Sequence, residues 1–203
     1  APFLLVLAAI LASGVVAGAS RAGGALLVVE VGLVLALGWR RGAISGRTAA
    51  WTAAQTLAVV ALLGLAGSWD TFWERLTGLD PLADFRWPII SSTLEIIRRH
   101  PLTGTGLGTW PSVYPEFASF DIGVFVNQAH CDWLQWAADG GIVCAGAIAA
   151  AVLMLARRLL RSVWGVGFLV VAAHALVDYP FHQLPVFAAF AWTCAFLAAR
   201  DIK

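Results

Sequence analysis

His130, Arg21 and Arg86 are the side chains in this sequence best suited to chemistry. An imidazole changes charge near neutral pH and can move a proton there. A guanidinium is a planar fork that holds a phosphate by two bonds at once. A lone histidine is more often a satisfied structural side chain, so the company it keeps decides how it is read. Here the company is one compartment shared with both arginines, as the charge pattern below indicates. The three fit an anionic, lipid-linked substrate.

Most of the polar chemistry lies between residues 86 and 141, where Arg, His, Asp and Glu crowd together with Trp, Pro and Gly. Trp87, Ile90, Leu94 and Ile97 recur at helical spacing and predict an amphipathic helix over 86–100 that rests on a membrane surface. Pro101 stops it. The run HPLTGTGLGTW follows, with Gly104, Gly106 and Gly108 alternating. It lacks the spacing and the strand context of a dinucleotide fingerprint. We read it first as a tight turn using left-handed backbone, with phosphate binding by backbone N–H as the weaker alternative. AHCDWLQW, from Ala129, then leads into an apolar helix, so His130 projects at the membrane boundary.

The elements that must position these groups are hydrocarbon. The chain is 60% hydrophobic and 12% charged, with a mean hydropathy of +0.81, whereas a soluble domain carries about 25% charge. It is therefore expected to be an all-α integral membrane protein. The net charge of +1 carries no information as a total, and nucleic acid is excluded as a partner. Cys131, Cys144 and Cys194 have neither CxxC nor zinc-site spacing and are read as small core residues. The chain opens Ala-Pro without a basic leader, and is expected to continue a longer protein with further membrane helices.

Apolar runs predict about six spans, at 2–19, 22–39, 49–67, 140–156, 162–177 and 184–199. The expected organisation is three transmembrane helices in 1–67, a catalytic loop in 68–139 and three more helices in 140–203. Residues 68–85 mix Trp and Phe with acids, as an interfacial anchor does. Alternation sorts the charges. One side holds eight basic residues against Asp201 alone, a net of +7, and the other five basic against ten acidic, a net of −5. Basic loops stay in the cytoplasm, so both ends are expected inside and the large loop outside. Glu30 falls within the second span, either as a functional carboxylate or as a protonated or Ser/Thr-paired side chain facing the bundle.

The loop resembles the O-antigen ligase and polymerase superfamily of bacterial envelope glycan assembly. Four pieces carry the resemblance in order: Ser-Arg-Ala-Gly at 20–23, Arg86-Trp87 opening a helix, HPLTGTGLG at 100–108, and Ala129-His130 opening the helix that runs to Gly141. His-Ala-Leu-Val-Asp-Tyr-Pro at 174–180 resembles that family's closing motif. Cys131 departs from the pattern, which usually has Asn after the histidine.

The resemblance implies a multispan, metal-independent glycosyltransferase of the bacterial inner membrane with a periplasmic loop and no cofactor. Its partners would be an undecaprenyl-diphosphate-linked glycan, a lipid or glycan acceptor and the membrane lipids. By position, Arg21 and Arg86 would bind the diphosphate, His130 would deprotonate the acceptor and Asp178 would support them. The chemistry agrees, because a sugar hydroxyl attacking an anomeric carbon needs a base of near-neutral pKa and a departing diphosphate needs its charge stabilised. An O-antigen ligase acting on lipid A core is the leading expectation. A polymerase and a protein O-oligosaccharyltransferase share these motifs, and a transporter is the remaining alternative, disfavoured because only Glu30 lies near the bilayer midplane.

Overall fold

The structure is a computed structural model that describes residues 21–66, 81–119, 121, 123–159 and 164–200. The expected span at 2–19 and most of the expected interfacial anchor lie outside them. The described residues form an all-helical protein in two compact units, Ala1–Asp80 and Pro81–Lys203.

In the first unit, α1 (Arg21–Arg40) and α2 (Gly46–Ala66) pack against each other. Gly42 takes φ +68° and ends α1, with Ala43 N–H donating to Gly38 O and Gly42 N–H to Trp39 O, each at 2.9 Å. This is the left-handed cap that satisfies orphan carbonyls at a helix end. Ser45 begins α2 by accepting the Thr48 N–H at 3.1 Å, which serves one of the free donors of its first turn.

The second unit contains α3 (Pro81–Arg99), α4 (Trp110–Phe117), α5 (Asp132–Leu159), α6 (Trp164–His174), a 3-10 turn (Pro180–His182) and α7 (Leu184–Arg200). α3 begins five residues before the expected Arg86 and carries Pro88 within it. α4 was not expected. Its buried Trp110 stacks on Tyr114 at 4.7 Å and donates Nε1–H to Thr93 Oγ1 at 3.2 Å. With Ile89, Ile96, Ala129 and Ala138, these two rings form a core that binds α3, α4 and α5 together.

The alternating glycines fold as a splint on α5. Gly141 (φ 72°, ψ 177°) breaks that helix, so Ala138 O and Asp139 O lose their ordinary helical donors. Thr105 N–H and Gly106 N–H replace them, each at 2.9 Å, and the Ile142 N–H turns to Pro101 O at 2.8 Å. Gly104, Gly106 and Gly108 all take positive φ. A Cβ on Gly104 would stand 2.3 Å from Asp139 O and one on Gly141 2.0 Å from Leu102 O, so the two backbones meet only because both residues are glycine.

Gly23–Arg40 and Asp132–Ala156 are long and apolar enough to cross a membrane, while Gly165–His174 and Leu184–Phe196 are apolar but shorter. Among the described residues of the expected span at 162–177, the helix covers Trp164–His174 and ends there, because His174 O accepts from the N–H groups of both Val177 and Asp178 and the chain turns. Trp39, Trp51, Leu62, Ile142, Val143, Met154 and Trp192 are all more than half exposed. Apolar residues turned outward suit helices surrounded by lipid.

Candidate functional site

His130 is the residue the second unit works hardest to place. It takes φ +54°, the sole positive φ outside glycine among the described residues. A side chain in that region is strained and persists where its surroundings over-determine it. They do so here from both sides. Ala129 N–H donates to Oε1 of the buried Gln135 at 2.9 Å. Asp132 N–H donates to Ala175 O at 3.0 Å and to Asp178 O at 3.2 Å. Trp133 Nε1–H reaches Ala172 O at 3.1 Å, so the start of α5 is tied to the end of α6 by side chain and backbone together.

The His130 ring is half-buried, meets the Tyr179 ring edge-on at 5.2 Å, and has no hydrogen-bond partner at Nδ1. Burial pushes its pKa below the ordinary imidazole value, the Arg86 charge lowers it further, and Asp178 pulls the other way. Loss of water disfavours the charged form of a base. On balance these influences favour the neutral ring, the form that can accept a proton.

Asp178 sits in the turn after α6, its carboxylate 3.6 Å from His174 Nε2 and accepting the Tyr179 N–H at 3.0 Å. Burial pushes its pKa up, but His174, the Tyr179 N–H and the Arg86 charge together hold it below the ordinary carboxylate value. Arg86 is exposed near the start of α3, and its charge acts on both partners. The fold thus brings Arg86, His130 and Asp178 from three distant stretches into one electrostatic neighbourhood. Arg21 stands at the first position of α1, in the other unit.

Three residues that the sequence reading left without a role hold this neighbourhood in place. Gln135 has just been described. Asp139 Oδ1 accepts the Trp110 N–H at 2.7 Å and so caps α4, whose own Thr109 makes no side-chain cap. Asp132, fully buried, accepts the Phe181 N–H at 2.8 Å on Oδ2 and the His182 Nδ1–H on Oδ1. A sequence signal existed: Asp132, Gln135 and Asp139 recur at three and four residues, a single polar face at the head of an apolar helix.

Cys131 is 4% exposed, and burial pushes its thiol pKa up. It packs as a small core residue. Arg98 and Arg99 pair with Glu95 at 3.3 and 3.0 Å, and Arg99 lies 5.1 Å over the Phe117 ring, which accounts for both outside the site. Among the described residues there is no cluster of three or more His, Cys, Asp or Glu able to hold a metal ion.

A family model described as O-Antigen ligase matches residues 6–147. The matched span contains Arg21, Arg86, the glycine splint and His130, and it stops before Asp178. No curated protein and no solved structure matches the chain.

Proposed function

Because the chain belongs to the O-antigen ligase family of membrane glycan transferases, we propose that it moves a glycan from undecaprenyl diphosphate to an acceptor hydroxyl, with lipid A core as the acceptor. The observation that carries this reading is the convergence of a neutral, half-buried His130 with Arg86 and Asp178.

In the proposed reaction His130 takes the proton of the acceptor hydroxyl as its oxygen attacks the anomeric carbon. The bond from that carbon to the diphosphate breaks, and its electron pair leaves on the phosphate oxygen. Arg86 binds the diphosphate and stabilises the charge that develops on it, and the family resemblance gives Arg21 the same kind of role. Asp178 stays ionised and stabilises the imidazolium that His130 becomes. A single displacement of this kind inverts the anomeric configuration. The arginines supply the positive charge, so the transfer is proposed to be metal-independent.

The proposed setting is a bacterial inner membrane, with six spans, both ends of this chain cytoplasmic and the 68–139 loop periplasmic. The net of +7 on one side and −5 on the other supports that orientation. The outward face of α3, with Trp87 74% accessible beside Arg86, suits a helix lying at the headgroups.

The test is transfer from a polyprenyl-diphosphate glycan with lipid A core and a second lipid-linked glycan as competing acceptors, with and without chelator. Product on lipid A core that falls by about 100-fold or more in His130→Ala is expected. Chain lengthening on the other acceptor would replace the ligase reading with a polymerase. Full turnover by His130→Ala would overturn His130 as the base.

A further inference from the structure

Asp132 is a carboxylate with no exposed surface, and such a group is tolerated in a protein interior when it is paired and hydrogen-bonded. His182 supplies the pairing through Nδ1–H and Phe181 supplies a backbone N–H. Both donors lie in the 3-10 turn that follows Asp178, and Asp132 lies two residues beyond His130. The turn is seated by rings as well: Phe181 packs on Trp136 of α5 at 5.3 Å and on Phe190 of α7 at 4.7 Å. Asp132 therefore joins the segment that carries His130 to the turn that follows Asp178, through a bond to His182 fifty residues away along the chain.

We propose that Asp132 and His182 form a positioning pair, which, with the Phe181 N–H and the backbone bonds of Asp132, holds His130 in its left-handed backbone conformation near Asp178, and that His182 acts in it through Nδ1–H and not through Nε2. Gln135 restrains the chain on one side of His130, and the pair restrains it on the other. Without the pair, the strained residue relaxes and its ring leaves Asp178 and Arg86. This inference rests on the proposed transfer reaction for the consequence of that movement, but the movement itself has an independent readout.

The experiment compares His182→Ala, His182→Asn and His182→Gln in the full-length protein, reconstituted in lipid nanodiscs. The Asn amide N–H falls where Nδ1–H stood, whereas the Gln amide falls near the position of Nε2. Two quantities are read: transfer kinetics with a polyprenyl-diphosphate glycan, and the rate at which diethyl pyrocarbonate acylates His130, followed by peptide mass. We expect His182→Ala to lower kcat by about 100-fold at unchanged KM for the donor, as loss of transition-state alignment does, and to speed His130 acylation. His182→Asn should restore both towards wild type, and His182→Gln should not. Rescue by Gln would overturn the proposal by making Nε2 the working atom, and an Asn variant as slow as Ala would overturn it by showing that a donor at the Nδ1 position does not hold His130. An Ala variant indistinguishable from wild type would overturn it too. If His182→Ala does not fold, the Asn and Gln variants carry the same decision. A wild-type protein that transfers nothing defeats the proposed function instead, and His130 acylation then decides the positioning alone.

Discussion

Arg86 and Asp178 act on His130 with opposite sign, and that gives the site a pH signature with a definite direction. Burial and Arg86 lower the imidazole pKa while Asp178 raises it. A base must be unprotonated to act, so the acid limb of kcat/KM should lie below the ordinary imidazole value of about 6.5. Arg86→Gln removes a positive charge, which moves the limb to higher pH. Asp178→Asn removes a negative charge, which moves it lower. The checking measurement is the pH profile of each variant, and limbs displaced in the same direction would refute the arrangement. His130 and Arg86 stood out in the sequence because charged and titratable groups are scarce in so apolar a chain, whereas Asp178 was singled out through the family resemblance alone. The partnership of Asp132 with His182 was not legible, since no local spacing joins residues fifty positions apart.

At the level of elements, the glycine run proved to be a structural device. Its turn character was readable from composition, but its target was not, because the break at Gly141 depends on one glycine whose neighbours continue a helical pattern. α4 was missed for a related reason. Eight residues containing two prolines read as loop, and the cap that starts them comes from Asp139 on α5, not from their own sequence. Graded costs follow for substitutions here. Gly108→Ala meets nothing within 4 Å and should cost only its left-handed φ, about 1 kcal/mol. Gly104→Ala and Gly141→Ala add collisions with backbone carbonyls and should cost about 3 kcal/mol or more. Asp139→Ala strips the buried Trp110 N–H of its partner and should cost about 1–3 kcal/mol. Thermal unfolding of the four variants in detergent gives the ranking.

At the scale of the whole molecule, composition alone disclosed a membrane protein, and the matched family agrees. Helix ends were less legible, because hydropathy registers apolar length and not the hydrogen bonds that stop a helix, as at His174. The proposed orientation is testable by cysteine labelling: a membrane-impermeant maleimide should reach Ser119→Cys from the periplasm and Ser45→Cys only after permeabilisation, and the reverse pattern would invert the topology. The break at Gly141 has a mechanical corollary. Only 142–156, roughly 22 Å of helix, need match the hydrocarbon, while 132–140 are fastened to the rest of the second unit. A bilayer that thins or thickens is accommodated by tilt of the outer segment, and the elbow at Gly141 keeps that tilt from turning the imidazole. The enzyme should therefore keep its turnover across host membranes of different thickness, as assays in short-chain and long-chain lipid vesicles can measure.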